Sequence, residues 1–156
     1  MIVKRLRKTK ESSEIKLKDF TDLYDVTYST ISDWKIVKDT IPLKRPIKYA
    51  NKYGYSLDYL FGLTDKNIKY KPLSIDLNIV VENLRQKRKV AGLTQQYVAD
   101  KINTSQASYA HYENARYLIS TSFLYNLSEV YDDLSIDKML GRKKDRKTVD
   151  LILQIF

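Results

Sequence analysis

The chain repeats itself, and no other feature limits its fold so strongly. Residue n lines up with residue n+78 through most of the 156 positions. Leu6 falls on Leu84, Arg7 on Arg85, Phe20 on Val98, Tyr24 on Ile102, Ile31 on Tyr109, Trp34 on Tyr112 and Ile41 on Ile119. One extra residue near Asp132–Asp133 shifts the offset to 79, and "SLDYLFG" (56–62) then lies over "SIDKMLG" (135–141). Identities are few, but the apolar positions agree over about 60 residues, as duplicated structural units do. Four glycines and three prolines leave little room for long loops. The expected fold is all-α, with two tandem five-helix domains.

In the second copy, Leu77, Val80, Val81 and Leu84 share a helical face, which predicts a helix over 76–91 with Asp76 as its N-cap. Gly92 can take the left-handed conformation that ends it. Thr94 then caps 95–102, Asn103 turns the corner, and Ser105 caps 106–113. Two more helices follow near 121–131 and 136–140. The first copy repeats the plan over 2–10, 14–24, 28–35, 43–53 and 57–61, with Pro42 and Pro46 at the entry to its fourth helix. The domains are read as 1–65 and 76–142, joined by a linker over 66–75. Residues 143–156 are read as a C-terminal helix with Val149, Ile152, Leu153 and Phe156 near one side, a stripe that would either cover the chain's own core or make a dimer contact.

The formal charge of +9 either serves solubility alone or points to an anionic partner, most commonly nucleic acid. No apolar run approaches the roughly 20 residues of a membrane span. The absence of cysteine removes disulfides and thiolate chemistry and fits a reducing cytoplasm. One histidine leaves the usual zinc sets unfilled, and no glycine-rich phosphate loop follows a strand. Neither catalysis nor a cofactor is expected.

"LRQKRKVAGLTQQYVADKINTSQASYAHYENA" (84–115) resembles the phage-repressor-like helix-turn-helix proteins of the XRE family. The resemblance rests on Arg88 seven residues before Gln95, the run Gly92-Leu93-Thr94-Gln95, Ala99 in the second helix, and Glu113-Asn114 closing the third. It implies two lambda-repressor-like domains, a transcriptional regulator, commonly a repressor, and double-stranded DNA as partner. The abundance of Lys, Ile, Asn and Tyr suits an AT-rich genome, as in a low-GC bacterium or its phage.

The resemblance also assigns roles. The third helix enters the major groove, and Ser105, Gln106, Ala107 and His111 become base readers. Gln106 can offer a donor and an acceptor to adenine, and Ala107 can touch a thymine methyl. Gln95, Lys87, Asn114 and Arg116 fall where phosphate contacts are expected. Arg88 and Glu113 form a structural ion pair. Ala99 must be small where two helices cross closely. Tyr109 and Tyr112 occupy apolar slots and are read as core.

The first copy departs from this pattern. Leu17 replaces Gln95, Lys10 and Lys35 replace the ion pair, and Asp33 replaces His111. Yet residues 1–71 carry 16 basic and 9 acidic residues, against 12 and 10 in the remainder. Tyr28, Ser29 and Ser32 are its candidate base readers and Lys38 a phosphate contact, which favours DNA binding by both copies over the other reading, a first copy that is an interaction domain without base reading. The alternative is a protein-binding module on the same scaffold, of anti-CRISPR or antitoxin type, that also represses its own promoter.

Overall fold

The computed structural model describes Thr21, Thr27 and residues 42–145. These residues divide into two units. The first runs up to Pro72 and takes the chain back at Lys144; the second is Leu73–Lys143. Among the described residues there are seven α-helices and no strand, and none of the helices is long and apolar enough to cross a membrane.

The first unit contains α1 (Lys44–Tyr53) and α2 (Leu57–Phe61). Pro46 is accepted in α1 because the first turn of a helix has no use for its backbone N–H. Ser56 caps α2, its Oγ accepting from the Tyr59 N–H at 3.0 Å, while its own N–H donates to Asn67 Oδ1 at 2.8 Å. That second bond holds the segment after α2. Tyr70 is buried and pairs in antiparallel fashion with Lys144, and the Asp145 N–H donates to the Lys69 carbonyl at 3.2 Å. Part of the segment read as a linker is therefore packed into the first unit. Lys144 and Asp145, inside the span read as a C-terminal helix (143–156), are not helical. The rest of that helix, the first copy's helices over 2–10, 14–24 (Thr21 apart) and 28–35, and Tyr28, Ser29, Ser32 and Lys38 lie outside the described residues.

The second unit contains α3 (Leu77–Val90), α4 (Gln95–Lys101), α5 (Gln106–Glu113), α6 (Thr121–Asn126) and α7 (Ile136–Met139). Each start is capped by a side chain: Asp76, Thr94, Ser105, Ser120 and Ser135 accept from backbone N–H groups two or three residues on. Gly92 (φ 67°) lets the chain turn out of α3 so that the Leu93 N–H reaches the Arg88 carbonyl at 3.1 Å. Asn103 takes the corner between α4 and α5 with φ 60°, as expected of a residue tolerant of the left-handed region. The helix expected over 121–131 is shorter. It ends at Asn126 and tightens into a 3-10 turn, Leu127–Glu129, a common way to finish a helix.

Val80, Val81, Leu84, Val98, Ala99, Ile102, Tyr109, Ile119, Leu124, Leu127 and Ile136 form the core of this unit. Ala99 is fully buried. Tyr109 is core as well, whereas Tyr112 is only half-buried, with its ring 6.0 Å from that of Phe123. At the far end Arg142 and Asp137, both buried, form an ion pair at 3.0 Å. Gly141 (φ 77°) lies so close to Ile79 that a Cβ there would come within 2.6 Å of Ile79 Cγ2.

The two units end their last described helices alike. Ser56 and Ser135 cap α2 and α7 in the same way, and Gly62 and Gly141 follow with φ of 76° and 77°. The closing bonds correspond: the Leu63 N–H donates to the Asp58 carbonyl at 2.9 Å, and the Arg142 N–H to the Asp137 carbonyl at 2.8 Å.

Candidate nucleic-acid interface

Helical geometry gives α5 two opposed edges. Tyr109 and Glu113, four residues apart, are buried. Ala107 and His111, also four apart, lie on the outward side, Ala107 exposed and His111 half-buried. Ser105 and Gln106 are exposed at the helix start. The edge therefore presents short groups, with no long basic side chain across it.

The buried edge holds a charge. Arg88 grips Glu113 with two parallel bonds, Nε to Oε1 at 2.7 Å and Nη2 to Oε2 at 2.8 Å. Its Nη1 also donates to the Leu93 carbonyl at 2.9 Å, so one side chain ties α3, the turn after it and α5 together. Burial alone would raise the Glu113 carboxyl, but hydrogen bonds from Arg88 and Gln95 outweigh it and hold the pKa below the ordinary carboxylate range. The bond to Glu113 raises Arg88 in turn, against the opposing effect of burial. Burial, reinforced by the Glu113 charge, pushes Tyr109 far above the usual phenol range and Tyr131 up to about 12.

From Glu113 a line of hydrogen bonds runs to the surface. Gln95 Nε2 donates to Glu113 Oε2 at 2.8 Å, and Gln106 Nε2 donates to Gln95 Oε1 at 2.8 Å. The structure thus brings together Arg88, Glu113, Gln95 and Gln106. Gln95 is half-buried and uses both ends of its amide, though Nε2 retains a second N–H. Sequence reading identified all four residues but not their connection. Gln95 and Gln106 each begin a helix, and the two helices meet at a tight corner. That convergence was the available signal.

The other candidates are placed variously. Ser105 Oγ accepts from the Ser108 N–H at 3.1 Å and lies 2.8 Å from Ser108 Oγ, so it is occupied as a cap. Asn114 is exposed, and its Oδ1 accepts from Arg85 Nη2 at 3.0 Å. Arg116 is exposed just beyond α5. Lys87 is placed differently: it pairs with Asp133 at 2.5 Å, lies 5.5 Å from the Tyr131 ring centroid, and lines a groove with Asn83, Val90 and Lys138 that includes no residue of α4 or α5. Two features escaped sequence reading. Tyr117 is 63% exposed and stands edge-on to His111, with centroids 5.8 Å apart. Ala115 carries φ 57°, an unusual value for a residue with a Cβ.

Residues 84–139 match the family model for the helix-turn-helix, from Leu84 in α3 to Met139 in α7. No curated protein and no solved structure matches the chain. The match is of the XRE type and supports a helix-turn-helix DNA-binding protein; it lies within the second unit and leaves the first unmatched.

Proposed function

We propose that the chain is a sequence-specific regulator that binds double-stranded DNA in the cytoplasm and represses by occupying an operator. The observation that carries this reading is the outward edge of α5, where Gln106 is exposed yet held by Gln95. A groove reader needs a short polar group whose donor and acceptor are fixed before contact. In this reading α5 lies in the major groove, with Gln106, Ala107 and His111 against base edges and Ser105 at the helix entry. Gln95, with its second N–H, Asn114 and Arg116 face phosphates, while the N-terminus of α4 adds a partial positive charge. Lys87 would join them only by leaving Asp133.

The matching ends of the two units support a tandem arrangement, in which the first unit is a second module of the same kind. The test is binding of the full chain to duplex DNA over a range of salt. Affinity should fall steeply, with a log–log slope near −0.9 for each phosphate neutralised. Gln106→Ala should flatten preference at one base pair, at a cost of about 1–3 kcal/mol. Equal weakening on every sequence would remove Gln106 from the role of reader. A salt-insensitive complex with a protein, and no affinity for DNA, would favour the protein-binding alternative.

A further inference from the structure

The hydrogen-bond line from Glu113 to Gln106 has a direction, and the direction has a consequence for which base is accepted. A glutamine amide is nearly symmetric in shape but not in chemistry: one end accepts and the other donates twice. Nothing steric prevents an exposed amide from turning over. A carboxylate, by contrast, can only accept. Glu113 is ionised and buried against Arg88, so the Gln95 group facing it must be Nε2. Gln95 Oε1 then faces Gln106 and can only accept, so Gln106 must present Nε2 to it. Each amide follows from the one before, and the first follows from a fixed charge.

We infer that Glu113 is a positioning residue for specificity: acting through Gln95, it locks the donor–acceptor order that Gln106 shows to a base pair. The inference rests on the reading above, in which α5 enters the major groove. With Nε2 committed to Gln95, Gln106 retains one N–H and its Oε1 for a base. That pair matches adenine, whose edge offers N7 as acceptor and N6 as donor. It mismatches guanine, which offers two acceptors, N7 and O6. An amide free to turn could instead give both of its N–H groups to guanine. Glu113 thus favours adenine over guanine from inside the domain, without touching DNA.

The experiment is selection of bound fragments from random duplex DNA by the full-length chain and four variants: Gln106→Ala, Gln95→Met, Glu113→Gln, and Arg88→Met combined with Glu113→Leu. The double variant replaces the buried pair with apolar side chains, which buried ion pairs commonly tolerate without loss of fold. It therefore removes the carboxylate without stranding a charge. The expected result is that Gln95→Met, Glu113→Gln and the double variant all lose the adenine preference at the one position that Gln106→Ala also degrades. Guanine there should gain about twofold to tenfold relative to adenine, the worth of one hydrogen bond. Preference at the other positions should stay. If the double variant folds and keeps the adenine preference, Glu113 is only structural and the inference fails, while the DNA-reading role of Gln106 stands. If the unaltered chain selects no sequence, or Gln106→Ala changes no position, the reading and the inference fall together.

Discussion

In the second unit a single side-chain pair can be worth several kcal/mol. Arg88 and Glu113 are joined by two short bonds, with side chains only 14% and 2% exposed. Removing one partner of such a pair leaves the other buried and uncompensated, which costs about 3–5 kcal/mol. Glu113→Ala should therefore destabilise the unit by that amount, as read from amide exchange in α3 and α5. The pair also makes stability depend on pH. The folded Glu113 carboxyl lies below its ordinary value of 4.5, so its contribution is complete above that value and is lost as pH falls through the folded one. The advantage of the unaltered chain over Glu113→Gln should shrink on acidification below about pH 4.5; a gap that held constant would show that the carboxylate contributes nothing. Ala115 works the other way. It occupies the left-handed position after α5, where glycine is preferred, and the Arg116 N–H closes that turn on the His111 carbonyl at 3.0 Å. Ala115→Gly should raise stability by about 1 kcal/mol in thermal melting.

Helix starts and ends were largely readable because they depend on neighbours in sequence. Asp76, Thr94 and Ser105 each cap a helix within two or three residues, and Gly92 and Asn103 bend the chain through their own backbone freedom. What was not readable depends on side chains brought together from afar. The Gln95–Gln106 bond spans 11 positions and the Gln95–Glu113 bond 18, and each needs the rotamers that α4 and α5 impose on one another. The pairing of Lys87 with Asp133, 46 residues on, was not readable for the same reason. Tyr112 sat in an apolar slot by pattern yet is half-buried, because the short α5 covers only its Tyr109–Glu113 edge completely. The packing around α4 can be tested directly. Ala99 is fully buried in α4. Ala99→Leu should cost about 1–3 kcal/mol through overpacking, as read from thermal melting. Normal stability with a leucine there would mean that the core has slack at that position.

Across the whole chain, the proposed tandem arrangement can be tested, because the number of reading modules determines how a DNA site must be built. The described helices of the first unit end with the same cap, the same left-handed glycine and the same closing bond as those of the second. Its residues up to 71 also hold most of the net positive charge. If each unit places a helix in the major groove on one face of a duplex, the two half-sites must lie about one helical turn apart, roughly 34–36 Å between centres. Because the modules are covalently joined, one chain should suffice for both half-sites. Footprinting on a selected fragment should then show two protected half-sites at that spacing, and sedimentation of the complex should give one chain per duplex. Two chains on the same pair of half-sites would mean that each contributes a single reading helix and that pairing occurs between molecules. Protection of one half-site by one chain would leave the first unit without a DNA role and its basic charge to be explained by another partner. Separation of these outcomes requires the intact chain, since the segment after the second unit returns to the first at Lys144, and cutting between Pro72 and Leu73 would divide the Tyr70–Lys144 pair.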